Sequence, residues 1–432
     1  MNSSEASAGG TALSRGVAGE TTEEDVSAAQ RWGQWLIVLA LVYMLLIAVG
    51  LLSQGFRAVS GGGDGAARIF EFATNPIVGV ILGTLATALV QSSSAVTSVI
   101  VGLVGGGLPV AVAIPMIMGS NMGTTVTNTI ASLGNFRDDA AFHRSFSAAT
   151  VHDFFNLFSV VIFLPIEMLF HPLERLAGYF AKLFEGSGEA SIRDFNVIRQ
   201  ITRPVINEIR DVIRMLPDEI NGFVMIIVGI AAVLLAVYLL NTMLRKAMTG
   251  RAQRLFNAAV GKSAALAVLA GLIVTILVQS STLTTVLIVP MAGAGLFTLA
   301  QVYPFTLGAN IGTPITALLS ATAVTGEYEI FALQLALVHL FYNGIGVALF
   351  AAIPPLWRLP MRAAQALADG AERSRWVVPA YILGVFFVLP GLAFGAQSLL
   401  NNKSPAVIQA ETNKDVYDAA KKEAEDKEVE IE

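Results

Sequence analysis

The chain has 432 residues, 54% of them hydrophobic and only 14% charged, with a formal net charge of −5 and no Cys. A soluble domain carries ~25% charged residues. So little charge, with the apolar residues gathered in long blocks, excludes a water-soluble globular protein and indicates a polytopic α-helical protein of the lipid bilayer. The acidic balance excludes a generally basic nucleic-acid binder, and the lack of Cys excludes disulfides, thiolate metal sites and a Cys nucleophile.

Residues 1–31 are rich in Ser, Gly and Ala and carry the acidic run Glu20, Glu23, Glu24, Asp25. A signal peptide would begin with a basic region, so a disordered cytoplasmic tail is expected instead. Residues 32–53 give the first transmembrane helix. Residues 75–170 hold apolar blocks at roughly 77–108, 110–133 and 146–170. In the polar connection 171–221, IRDFNVIRQITRPVINEIRDVIRML spaces apolar residues as a helix would, predicting an amphipathic helix on the membrane surface. A linking transmembrane helix (222–244) and a basic linker (245–262) lead into 263–357, with blocks at 264–299, 300–323 and 331–353. A basic loop (358–375), a last transmembrane helix (376–398) and a polar charged tail (399–432) follow.

The chain repeats itself. VQSSSAVTSVIVGLVGGGL from Val90 matches VQSSTLTTVLIVPMAGAGL from Val278, PMIMGSNMGTTVTN from Pro115 matches PFTLGANIGTPITA from Pro304, and VHDFFN from Val151 matches VHLFYN from Val338, at offsets of 188, 189 and 187 residues. Two copies of one membrane unit are the usual build of a secondary transporter, with its site where the copies meet; a duplicated scaffold without transport is the alternative. Arg245, Lys246, Arg251, Arg254 and Lys262 place the linker 245–262 in the cytoplasm, and Arg358, Arg362, Arg373 and Arg375 place 358–375 there too. The loop at 134–145 has Arg137 and Arg144, whereas its counterpart at 324–330 has only Glu327 and Glu329. The first is therefore expected inside and the second outside, which makes the two repeats inverted. This puts 171–221 outside despite its own Lys and Arg. Each arm of a QSS segment is about fourteen residues, ~21 Å of helix, short of a ~30 Å hydrocarbon core. Re-entrant hairpins with the QSS at the tip are favoured over one long kinked helix.

Gln91, Ser92, Ser93 and Ser94, and again Gln279, Ser280, Ser281 and Thr282, interrupt apolar runs. Polar groups in lipid need partners. A hairpin tip leaves backbone N–H groups at a positive helix end for an anion, while hydroxyl and amide oxygens suit Na⁺. Ser and Thr as interhelical hydrogen-bonding groups are the plain alternative. In GSNMGTTVTN and GANIGTPIT, Asn121, Thr124, Thr125, Asn128, Asn310, Thr313 and Thr316 add oxygens beside glycines, the pattern of a broken helix lining a site. A Gly-rich packing face would look similar. Asp153 is the one carboxylate well inside 146–170, with Asn156 three positions on and on the same face. Its counterpart is Leu340. His152 and His339 recur at matched positions and read better as packing residues than as ligands. No Lys or Arg occupies the centre of an apolar block.

With these residues in place, the chain resembles the type II sodium–phosphate cotransporters. QSSSAVTS, PMIMGSNMGTTVTNTI, SFSAATVHDFFNLFSVVIFLPIE, QSSTLTTV, YPFTLGANIGT and LFYNGIGVALF are similar to that family's stretches, in the same order, over roughly 32–398. The resemblance implies Na⁺-coupled import of inorganic phosphate by alternating access, with Na⁺ as the co-transported ion, no catalytic cofactor and no enzymatic activity. It implies phosphate at Ser92, Ser93, Ser280 and Ser281. It implies Na⁺ at Gln91, Asn121, Thr124, Gln279, Asn310, Thr313 and Thr316, joined by Ser94, Thr125, Asn128 and Thr282 of the same polar sets. An Asp at the VHD position goes with electrogenic transport in that family, so Asp153 with Asn156 implies a further Na⁺ site. The family's large Cys-bonded loop is replaced by the shorter 171–221, and its last membrane segment is not matched. A multi-pass protein of a prokaryotic inner (plasma) membrane is expected, N-terminus cytoplasmic and C-terminus extracytoplasmic, with a homodimer left open. A carrier of another small anion (arsenate or sulfate), Na⁺- or H⁺-coupled, and a non-transporting structural or sensory membrane protein are the alternatives.

Overall fold

The computed structural model describes residues 28–61, 63–124, 126–186, 196–388, 391–392 and 395. Residues 1–27 of the expected tail 1–31, the whole tail 399–432, the residue Thr125 and part of the segment 376–398 lie outside the described residues, while 28–31 already belong to the first helix. Every regular element among the described residues is helical. Among the described residues, five segments are long and apolar enough to cross a membrane: Trp32–Ser60, Val110–Asn135, Asp139–Phe170, Asp218–Arg245 and Glu329–Ala352.

The helices fall into two matched sets. The first comprises α3 (Pro76–Val90), α4 (Ser93–Gly105), α5 (Val110–Gly123), α6 (Val126–Ser132), α7 (Asp139–Phe170) and α8 (Pro172–Gly186). The second comprises α11 (Ala264–Val278), α12 (Ser281–Val286), α13 (Ile288–Gly293), α14 (Leu299–Gly312), α15 (Pro314–Ala321), α16 (Glu329–Ala352) and α17 (Pro354–Arg373). Before and between them run α1 (Ala28–Ser60), α2 (Gly63–Ile69), α9 (Asn196–Ile213) and α10 (Asp218–Ala259); α18 (Val377–Leu383) follows and ends in a π turn at Gly384–Val388.

Local signals set the boundaries. Asn75 and Ser263 accept hydrogen bonds from Ile77 N and Leu266 N at the starts of α3 and α11, so each copy opens with a side-chain cap. Asp138 caps α7 through Ala141 N. Pro172 and Pro354 begin the helices that follow α7 and α16, where a missing N–H costs nothing.

Packing exchanges elements between the sets. Helix α8 of the first copy lies on α16 of the second, and α17 of the second lies on α7 of the first. Within each copy the first arm presses on the broken helix through glycines. A Cβ at Gly83 would sit 2.0 Å from the Met116 carbonyl oxygen and one at Gly119 2.0 Å from that of Val80. At the matched Gly271 and Gly308 a Cβ would sit 2.0 and 1.9 Å from the oxygens of Phe305 and Val268. Only Gly permits backbones this close.

Three stretches differ from the sequence expectation. The stretch 358–375 is mostly α17 rather than loop, because Ala364, Ala368 and Ala371 bury one small-residue face against α7 while the arginines stay on the other. Most of 245–262 continues α10 as helix. In the second copy the second arm is not one helix but α12 and α13, separated at Leu287. The amphipathic character of 171–221 takes the form of α8 and α9. Leu173, Ala177 and Ala181 of α8 enter the main core, and Ile206 and Ile213 of α9 are buried. Tyr43 of α1 donates to the Ile201 carbonyl of α9 at 2.7 Å.

Candidate functional site

The two QSS segments adopt one geometry. Val90 ends α3, Gln91 turns left-handed (φ 57°, ψ 26°), Ser92 is extended (φ −152°, ψ 104°), and α4 begins at Ser93. Gln279 (φ 55°, ψ 24°) and Ser280 (φ −152°, ψ 110°) reproduce this between α11 and α12. A left-handed non-Gly residue is uncommon, and here side-chain bonds hold it. Gln279 Nε2 donates to the Ile276 carbonyl at 2.6 Å, and Thr316 Oγ1 donates to Gln279 Oε1 at 2.9 Å. Gln91 makes the matching pair, donating to the Ala88 carbonyl and accepting from Thr127 Oγ1. Ser92 and Ser280 Oγ cap the following helices, accepting from Ala95 N and Leu283 N at 3.2 and 3.3 Å. Ser93, Ser94 and Ser281 are buried just inside.

The second arms dock on the opposite copy. Asn128 of α6 donates to Thr285 Oγ1 of α12 at 2.8 Å. Ser320 of α15 donates to Ser98 Oγ of α4 at 2.8 Å. The helices that receive them are the short halves of broken ones. Helix α5 gives way at Thr124 and α14 at Thr313, each of whose hydroxyls turns back to bond the carbonyl four residues earlier. Pro314 at the start of α15 cannot continue the α14 ladder.

Behind the tips, four buried Asn side chains form a closed ring. Asn121 Nδ2 donates to Asn343 Oδ1 (2.6 Å), Asn343 Nδ2 to the Asn310 carbonyl (2.7 Å), Asn310 Nδ2 to Asn156 Oδ1 (3.2 Å), and Asn156 Nδ2 to the Asn121 carbonyl (2.9 Å). Asn121 matches Asn310 and Asn156 matches Asn343, so each pairwise contact has its counterpart in the other copy. His339 Nε2 reaches Asn121 Oδ1 at 3.1 Å. His152 lies in the corresponding place beside Asn310, outside good hydrogen-bond geometry.

Asp153 breaks the symmetry. It is 6% exposed, and Tyr381 of α18 donates its O–H to Asp153 Oδ2 at 2.7 Å. Asp153 and Asn156 are one helical turn apart; Tyr381 of α18 bonds the first, and the second joins the Asn ring.

Cationic side chains sit at the far ends of the second arms. Arg57 of α1 donates to the Gly105 carbonyl at the end of α4 (3.0 Å), and Arg144 of α7 donates to the Gly293 carbonyl at the end of α13 (2.7 Å). Gly105 and Gly293 are matched positions, 188 residues apart. With 13 residues, α4 holds its arginine ~20 Å from the tip. A cation at the C-terminus of such a helix suits its dipole, and so would an anion at the N-terminus.

Of the residues singled out in the sequence, Gln91 joins the tip with Ser92, and Gln279 and Thr316 join with Ser280; Asn121, Asn156 and Asn310 join in the ring; Asn128 bridges the copies; Thr124 and Thr313 stand at the breaks. Ser94 and Thr282 serve through their carbonyls, accepting from Thr97 and Ser98, and from Thr285. The sequence reading missed Asn343, Thr127, Thr285, Ser98, Ser320 and Tyr381. Asn343 and Thr127 were accessible from the repeat alone, as the counterparts of Asn156 and Thr316.

Comparison with known proteins follows the same division. The model of the family described as Na⁺/Pi-cotransporter matches residues 44–184 and 232–362, one stretch around each copy. Sodium-dependent phosphate transport protein 2A of Ovis aries is 33% identical over 430 residues, covering 83% of this chain and 67% of the relative. The protein of the same name from Rattus norvegicus is 32% identical over 428 residues, with 83% and 67% covered. Sodium-dependent phosphate transport protein 2B of Homo sapiens is 29% identical over 451 residues, with 84% and 65% covered. No solved structure matches the chain significantly. The chain thus belongs to the Na⁺/Pi-cotransporter family, a family of transporters rather than enzymes.

Proposed function

We propose that this protein is a Na⁺-coupled symporter that imports inorganic phosphate by alternating access between two inverted repeats. The observation that carries the reading is the matched pair of serine tips, each with its second arm bonded to the other copy through Asn128–Thr285 and Ser98–Ser320. In this reading α3 and α4, with 15 and 13 residues, are the arms of a re-entrant hairpin, each too short to cross a ~30 Å hydrocarbon core. Irregular backbone at membrane depth is tolerated where protein surrounds it or where it lines a cavity.

In this reading Ser92, Ser93, Ser280 and Ser281 donate to the phosphate oxygens, helped by the amides at the start of α4. On binding, the Ser92 and Ser280 hydroxyls turn from capping to the anion. Na⁺ takes oxygens from Gln91, Ser94, Thr124, Thr125, Asn128, Gln279, Thr282, Thr313 and Thr316, with Asn121 and Asn310 from the ring. Asp153, with Asn156 nearby, supplies the one carboxylate for a further Na⁺. The cations neutralise the phosphate in place of a basic side chain, so neither species binds well alone, and that dependence is the coupling. Three Na⁺ with one divalent phosphate move one net charge inward, worth ~2.3 kcal/mol per 100 mV.

The test is radiolabelled phosphate uptake into proteoliposomes with an inward Na⁺ gradient, against K⁺ replacement. Uptake that rises with the Na⁺ gradient, competed by arsenate and indifferent to sulfate, is the predicted result. Uptake unchanged when Na⁺ is removed overturns the coupling, and sulfate as the better substrate overturns the anion assignment.

A further inference from the structure

Tyr381 has no counterpart in the sequence repeat, yet it bonds the residue that breaks the symmetry of the site. Its O–H donates to Asp153 Oδ2 at 2.7 Å. The ring is seated among Phe146, Phe154 and Phe386, with centroids 6.5, 6.3 and 6.0 Å away. Phe386 lies in the π turn that ends α18, a feature often found at functional sites. Its cluster includes Ala88 and Val126. Ala88 supplies the carbonyl that holds the Gln91 side chain. One short segment therefore touches both the carboxylate on α7 and the base of the first serine tip. The second copy has Leu340 in place of Asp153 and needs no such partner.

We propose that Tyr381 is a positioning residue for the coupled cation at Asp153. The inference rests on the reading of Asp153 as a Na⁺ ligand. A carboxylate offers about four lone-pair sites. The phenol occupies one of them and leaves the negative charge in place. With the aromatic seat fixing the phenol, the carboxylate is held in one orientation before the ion arrives, which lowers the ordering cost of binding. Hydrogen-bond partners of metal-ligating carboxylates commonly change metal affinity 10- to 100-fold when removed.

Tyr381→Phe removes the donor and keeps the ring. The Na⁺ concentration for half-maximal phosphate uptake should rise about tenfold, while the phosphate concentration for half-maximal uptake at saturating Na⁺ stays within twofold. In an Asp153→Gly background the same substitution should leave Na⁺ activation unchanged. A Y381F protein with wild-type Na⁺ activation overturns the proposal, as does an equal effect of Y381F in both backgrounds, which would mark a merely structural role. If Asp153→Gly alone leaves Na⁺ activation and current unchanged, the reading of Asp153 fails, separately from the role of Tyr381. Should Y381F not reach the membrane, Phe154→Leu loosens the seat while keeping the phenol. It should shift Na⁺ activation in the same direction, and no shift counts against the proposal.

Discussion

Asn121 donates its side-chain amide to Asn343 Oδ1 at 2.6 Å, joining residues 222 positions apart across the boundary between the two copies. Both residues are 1% exposed. A buried amide in a membrane protein has no water to turn to, so this bond and its counterpart from Asn310 to Asn156 tie the copies together at the level of the broken helices. The ring gives the two halves one registered centre, against which either half can move only by exchanging those bonds for others.

Replacing Asn343 by Ala should strand the Asn121 amide and cost about 1–3 kcal/mol. Asn156→Ala should cost a comparable amount, since it strands Asn310. Thermal unfolding of the purified protein in detergent reads both. An N343A protein as stable as wild type would show that the ring is not a structural link.

Glycines at the backbone contacts should be intolerant in matched pairs. Gly83→Ala and Gly271→Ala each bring a methyl within 2.0 Å of a carbonyl oxygen, and neither helix can yield without displacing the site. Both should lower folded yield sharply. Gly344→Ala, with nothing within 4 Å of its added methyl, should be neutral or stabilise by up to ~1 kcal/mol. Size-exclusion profiles of the three variants decide the matter, and a well-folded G271A would contradict the close approach.

The tip glutamines should behave as a pair. Thr127→Val removes the donor to Gln91 and Thr316→Val removes the donor to Gln279. Each frees a left-handed glutamine and should lower phosphate uptake severalfold at fixed Na⁺. Uptake unchanged in T316V would show that the side-chain bonds do not hold the tip.

Asp153→Gly should abolish phosphate-evoked current while retaining part of the uptake, because one charge-carrying Na⁺ is lost and Leu340 already shows that the matched position can do without a carboxylate. Current of wild-type size in D153G would remove Asp153 from the ion path.

The repeat was legible because polar residues recur at nearly constant offsets inside apolar runs. Gln91 and Gln279, Asn121 and Asn310 announced the tips and the breaks before any geometry was known. The partners of those residues were harder to see. Asn343 and Thr127 sit in the same motifs but stand out less than QSS, and only the fold shows that they close the hydrogen bonds. Exchange of α8 and α17 between copies leaves no local trace, since periodicity reports a buried face and not what covers it. The helix at 358–375 reads as a loop from its arginines, although Ala364, Ala368 and Ala371 mark one helical face. Tyr381 could not be foreseen, because nothing in the chain near it points to Asp153, 228 residues away.

Coupling must run in both directions if phosphate and Na⁺ share one site. The most direct measurement is ²²Na⁺ entry into proteoliposomes driven only by an inward phosphate gradient, with Na⁺ equal on both sides and the potential clamped at zero. Accumulation of Na⁺ in a fixed ratio above one per phosphate is the predicted result; phosphate entering with no Na⁺ accumulation would contradict the account.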